Sequence, residues 1–184
     1  MKPKASLSAN LGKHRVKVSA MESIINNFAK LFGAELRIGE RLVVKMGNRL
    51  FLLDGEVRKL AGKSEEWLYA GIYLGRVEDG KLHPSFPLLS MIAEKAKNRV
   101  TVDDKTAWLF ICGRDIFREG ILEVKGSGAK GAYTLVFNRN GECLGFGRIA
   151  ENLDYLKSGL AIENLLDIGD FLRRERRFER RLNP

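Results

Sequence analysis

Three groups of residues have the types and spacing to hold a charged ligand. GSGAKG, residues 126–131, matches G-x-G-x-x-G letter for letter. A dinucleotide site needs that glycine turn to open a helix whose N-terminus faces the pyrophosphate. The next six residues, AYTLVF, are a strand-forming run, so the pattern predicts a flexible loop between strands, with Lys125 and Lys130 in reach of a phosphate. In CGRDIF, residues 112–117, and just beyond it, Arg114 and Arg118 stand four apart and would share one face of a helix. Their guanidinium groups are either free for phosphate or paired with Asp115 and Glu119 across the same turn. The third group is the C-terminal run RRERRFERR, residues 173–181, with Arg173, Arg174, Arg176, Arg177, Arg180 and Arg181 interleaved with Glu175 and Glu179. Planar guanidinium forks suit phosphate oxygens; a solvated, frayed terminus is the other reading.

Catalysis finds no comparable foothold. His83 lies near Asp79 and Ser85, but no third group is placed to orient an imidazole base. Cys112 and Cys143 are far apart in apolar surroundings and read as buried free thiols in a reducing interior. No metal-ligand spacing accompanies them. The expectation is a protein without catalytic residues, cofactor or metal. The apolar runs are short and broken by charge, so no membrane span is expected either.

The net charge of +9 is concentrated at the ends. Residues 1–20 hold five Lys/Arg and no acid, and residues 173–181 hold six Arg and two Glu, while residues 21–172 have as many basic as acidic residues. A basic balance suggests a polyanionic partner. Here the attraction would come from the extremities.

The elements that must position these groups fall into two halves. Ser19 and Glu22 form an S-x-x-E capping box ahead of the helical stripe Ile24, Ile25, Phe28, Leu31 and Phe32, which Gly33 ends. ELRIG, RLVVKM and RLFLLD read as a small meander, residues 56–62 as a short helix, residues 67–76 as a strand, and residues 88–97 as a helix opened by Pro87. From about Val100 the period changes to two. VTV, AWLFI, GILEV, YTLVF, CLGFGRI and LAIEN read as six strands, with Asn140-Gly141 a hairpin turn. Strands at that density predict a small barrel. The fold class is thus α+β, with a basic, disordered leader at 1–18, an α/β domain at 19–102, a small mixed β-barrel at 103–172 and an arginine-rich tail at 173–184.

AWLFICGRDIFREGILEV (107–124), CLGFGRIA (143–150) and LDIGDFLRRE (166–175) together resemble a PUA domain, a small RNA-binding pseudobarrel. The Leu-Gly-Phe-Gly at 144–147, the Asp-Ile-Gly-Asp-Phe at 167–171 and the upstream YAGIYLGRVEDGKLHPSFPLL at 69–89 are similar to the nuclear-import-protein-seven family of ribosome-biogenesis factors, archaeal type. The likeness spans roughly residues 19–175. It implies a non-enzymatic protein of two domains that binds rRNA or pre-rRNA through the barrel and meets other ribosome-assembly factors, or an RNA methyltransferase, partly through the first domain. A cytoplasmic place is implied, or a nucleolar one in a eukaryote. Where archaeal members carry basic residues ahead of the Asp-Ile-Gly, this chain has Gly159, Leu160, Glu163 and Leu166, and residues 103–172 hold eight basic against eleven acidic residues. Two further readings stay open: a protein-interaction adaptor for an RNA-modifying enzyme, and an accessory tRNA-binding subunit.

Overall fold

A computed structural model describes residues 21–38, 42–54, 71–170 and 173. The leader, Ser19 of the capping box, the helix expected at 56–62, the start of the strand expected at 67–76 and the arginines beyond Arg173 lie outside the described residues. The chain forms two compact units, one of residues 1–29 and 36–88, the other of residues 30–35 and 89–184.

In the first unit, helix α1 (residues 21–30) presents Ile25 and Ala29 to the core, as the apolar stripe requires. Asn26 Oδ1 accepts a hydrogen bond from the Leu36 N–H at 3.1 Å and so fixes the chain after the helix. Strands β1 (Leu42–Met46), β2 (Arg49–Leu53), β3 (Ile72–Glu78) and β4 (Lys81–Pro84) form an antiparallel meander in sequence order. The strand expected from ELRIG is absent over its described residues: 34–38 are irregular. Both outer hairpins close through two-residue turns, Gly47-Asn48 and Asp79-Gly80. In the second, φ is +49° at Asp79 and +73° at Gly80, the primed turn that matches strand twist. Helix α2 (Phe86–Ala93) starts two residues earlier than Pro87 suggests, because Ser85 caps it: its hydroxyl accepts from the Leu88 N–H at 3.3 Å and donates to Tyr73 O at 2.6 Å. Ser85 is therefore structural.

The second unit is a curled, mixed sheet of six strands: β5 (Arg99–Val102), β6 (Ile116–Phe117), β7 (Ile121–Lys125), β8 (Tyr133–Phe137), β9 (Cys143–Ile149) and β10 (Leu160–Asp167), in the order β6-β10-β9-β8-β5-β7. All neighbours are antiparallel except β5 and β8. Because β5 sits between β7 and β8, residues 99–102 belong to this sheet, just upstream of the expected boundary at residue 103. Val100, Val102, Phe110, Ile116, Ile121, Val136, Ile149, Leu153, Ala161 and Ile162 make one core. Phe32 packs edge-on against Phe146 and Tyr133, with centroids 5.6 and 6.3 Å away.

One expected strand is a helix. AWLFI lies within α3 (Asp104–Ile111). Asp103 caps its start by accepting from the Thr106 N–H at 2.7 Å, and this bond holds the Asp103 carboxyl below the ordinary carboxylate range. At the other end Gly113, at φ +88°, donates to Phe110 O while Arg114 N–H donates to Leu109 O, the paired bonds of a Schellman stop. Apolar composition suggests a strand, but both caps decide for helix.

Candidate nucleic-acid interface

The end of α3 runs into a loop, Cys112 to Asp115, that is fastened to β10 through one side chain. Asn164 Nδ2 donates to Phe110 O at 2.8 Å, to Arg114 O at 3.3 Å and to Asp167 Oδ2 at 3.2 Å, while its backbone N–H donates to Asp115 Oδ1 at 2.8 Å. Asp167 is buried, 2% exposed, and meets Arg173 through both carboxylate oxygens, at 2.9 and 2.5 Å. Arg173 Nη1 also donates to Ile111 O at 2.6 Å. The guanidinium thus joins the end of β10 to the last turn of α3, and the carboxylate pushes its pKa further up. The glycines leave room for this closure: a Cβ on Gly169 would come within 2.0 Å of Ile111 O, and one on Gly145 within 2.0 Å of Leu166 O. The Leu-Gly-Phe-Gly and Asp-Ile-Gly motifs are therefore architectural.

The result is a rigid loop that holds Arg114 in solvent. Among the described residues its side chain makes no hydrogen bond or ion pair, and Asp115, its expected partner, is committed to Asn164. Arg118 does not share a helical face with it. Strand β6 intervenes, and Arg118 opens the 3-10 turn Arg118–Gly120, where it is half-buried, bonds Ile121 O at 3.4 Å through Nη1 and keeps its Nε out of solvent with no partner among the described residues. Glu119 accepts from the Gly159 N–H at 3.4 Å instead of pairing with an arginine.

The glycine loop lies between β7 and β8, and no helix comes after it. It is tied down rather than flexible: Ser127 N–H donates to Asn98 Oδ1 at 3.1 Å, and Leu153 N–H donates to Gly128 O at 2.9 Å. Its cations already have partners, Lys125 with Glu123 at 3.1 Å and Lys130 with Glu151 at 2.7 Å. Such exposed pairs are worth about 0–1 kcal/mol and can yield to a phosphate. Glu163, on the β10 face, is bound by Arg148 at 2.7 and 3.0 Å.

Three sequence expectations are thus revised. Arg173, expected among the free arginines of the tail, serves the protein's own frame, its fork engaged by a buried carboxylate and a helix-end carbonyl. Arg118 is turned inward and shares no helical face with Arg114. Cys112, expected to be buried, is exposed at the end of α3; Cys143 is half-buried, and burial pushes its thiol pKa up. Arg174, Arg176, Arg177, Arg180 and Arg181 lie outside the described residues. What composition missed is a set of large exposed apolar side chains beside the loop: Trp108 is 65% exposed and Phe117 56%. Helical spacing would have placed Trp108 and Cys112 together once the α3 caps were read.

Residues 98–176 match the family model described as UPF0113 PUA domain. Residues 98–176 have the PUA fold. A UPF0113 protein of Archaeoglobus fulgidus is 29% identical over 142 residues, covering 70% of this chain and 80% of that one. A conserved PUA domain protein from Thermoplasma acidophilum has a TM-score of 0.57 at 22% identity, over 85% of this chain and 94% of the other. A hypothetical protein from the hyperthermophilic archaeon Pyrococcus horikoshii gives 0.52 at 14% identity, over 83% and 95%. These structural likenesses establish the fold. PUA domains are generally RNA-binding.

Proposed function

We propose that this chain is a non-catalytic RNA-binding protein of ribosome biogenesis, acting in the cytoplasm on rRNA or pre-rRNA. Its PUA domain holds the RNA, and its partners are other ribosome-assembly factors or an RNA methyltransferase. The observation that carries this reading is a PUA fold whose α3–β6 loop is hydrogen-bonded into one shape and presents Arg114, unpaired among the described residues. Phosphate contacts of this kind position a protein without reading sequence. The arginines after Arg173 add long-range attraction, and the similarity of the closing Asp-Ile-Gly-Asp-Phe to the nuclear-import-protein-seven family supports the ribosomal assignment.

A second reading has its own observation. Trp108 and Leu109 are both exposed on α3, an apolar surface of the kind a protein partner covers. The test is titration of the full chain with rRNA fragments and with tRNA at two salt concentrations. Preferred binding of rRNA supports the proposal. A preference for tRNA would replace it with the accessory-subunit reading, and binding only in the presence of a protein partner would replace it with the adaptor.

A further inference from the structure

The register of the first unit's sheet places Arg49 directly opposite Arg76, and Arg76 directly opposite His83. Directly opposed residues of antiparallel strands project to the same face, with Cβ atoms roughly 4.5–5.5 Å apart. Three groups able to carry positive charge therefore run side by side across β2, β3 and β4. Lys81, two residues before His83 on β4, projects to that face as well, opposite Glu78. Like charges in directly opposed positions destabilise a sheet, and a threonine or valine would fit a pleated surface better. Setting Arg49 against Arg76 therefore costs the sheet some stability.

The compensation inside the protein is partial. Among the described residues, Glu78 faces the row, with Oε1 3.3 Å from Arg76 Nε and 3.4 Å from Asn48 Nδ2, and Oε2 3.8 Å from His83 Nε2. Asp79 stands beside it in the turn. One carboxylate is thus shared by Arg76 and His83, while Arg49 and Lys81 form no ion pair among the described residues. The row is open to solvent: the Arg76 and His83 side chains are 40% and 51% exposed, and Arg49 and Lys81 are exposed. It lies at the end of the sheet closed by the Gly47-Asn48 and Asp79-Gly80 turns. A Cβ on Gly47 or Gly80 would meet nothing within 4 Å, so neither turn is crowded.

We propose that this row is a second RNA-contact surface, which takes backbone phosphates in addition to those held by the PUA domain; it rests on the RNA-binding reading above. Three strands span about 10 Å from Arg49 to His83, a length that covers about three nucleotides of one strand at roughly 3.4 Å of axis per nucleotide, and the two arginines would take two of their phosphates. Two arginines supply planar forks for phosphate oxygens. An anionic membrane is the poorer occupant, because surface binding to lipid needs large apolar side chains beside the cations. Here the next residue on that face of β2, Phe51, is fully buried, and Tyr73 opposite it is half-buried.

The experiment compares the full-length protein with the Arg49→Gln/Arg76→Gln/His83→Gln variant, and with Arg49→Gln alone, by titrating a mixed-sequence single-stranded RNA over a range of salt. The expected result is weaker binding by both variants. The slope of log K against log salt should become shallower by about 1.4 in the triple variant and by about 0.7 in the single one, at roughly 0.7 per phosphate. The thermal midpoint should stay level or rise, since like charges are removed. Should the triple variant not fold, Arg49→Gln decides, because it breaks no ion pair among the described residues. Wild-type affinity and slope in the folded variants, with binding still weakened by Arg114→Ala, would overturn the second surface and leave the PUA reading standing. An unmodified protein that binds no RNA would remove both. Loss of binding to an acidic peptide or to phosphatidylserine vesicles, with RNA binding intact, would show that the row has a different occupant.

Discussion

Asp167 and Arg173 form a two-point clasp in which a planar guanidinium donates two parallel hydrogen bonds to a buried carboxylate and a third to the carbonyl of Ile111 at the end of α3. Removing Arg173 leaves Asp167 charged and buried, with Asn164 as its remaining side-chain donor. Arg173→Ala is expected to cost roughly 2–3 kcal/mol, below the usual figure for a broken buried pair because Arg173 is itself one-third exposed. Urea denaturation measures it. Arg173→Lys should recover little, since an ammonium cannot make the fork.

The same closure predicts intolerance of a single methyl group. In Gly169→Ala the new Cβ would lie 2.0 Å from Ile111 O, a backbone atom that can move only with the end of α3. A loss of about 2 kcal/mol or more is expected, read as a lower thermal midpoint. An unchanged midpoint would mean that the two segments are not so closely apposed.

The cap of α3 carries a pH signature. Asp103→Ala should cost about 1 kcal/mol near neutrality. The folded-state pKa of Asp103 is lowered, chiefly by its hydrogen bonds with Thr106, so the cap's contribution is complete above the unfolded-state value near 3.9 and is lost as pH falls through the lower folded value. The stability gap between the two proteins should therefore close in acid. A gap independent of pH would exclude the charged cap.

Much of this fold is legible where the signals are local. Asn140-Gly141 predicts the β8–β9 hairpin, and the turn is held by Asn138, whose Oδ1 accepts from the N–H groups of Asn140 and Glu142. Helix α1 is implied by its apolar stripe. Helix α3 reads wrongly as a strand because AWLFI is as apolar as a buried strand, although Asp103 and Gly113, the residues that bound it, are in plain view. Pairings between distant segments leave no such trace. Parallel pairing of β5 with β8 moves the start of the second unit upstream. The bond from Arg173 to Ile111 spans 62 residues, and it gives an arginine of the expected tail a structural role. Arg114 is recognisable as a candidate, but its freedom depends on Asn164 engaging Asp115.

The glycine loop offers a test of whether internal ion pairs compete with RNA. Lys130 is held by Glu151 in an exposed pair. If Lys130 meets a phosphate, Glu151→Gln should strengthen RNA binding several-fold at low salt by releasing it, and Lys130→Ala should weaken binding. Affinity unchanged in both would place the loop outside the interface.

The most direct test of the central claim is a salt titration of RNA binding by the full chain beside Arg114→Ala, with thermal melts as the fold control. Any truncation used alongside must end after Arg173, so that the clasp is retained. Log K is expected to fall linearly with log salt, and Arg114→Ala to lower the affinity and make the slope shallower by about 0.7 at unchanged stability. Absence of RNA binding by the folded protein at low salt would contradict it.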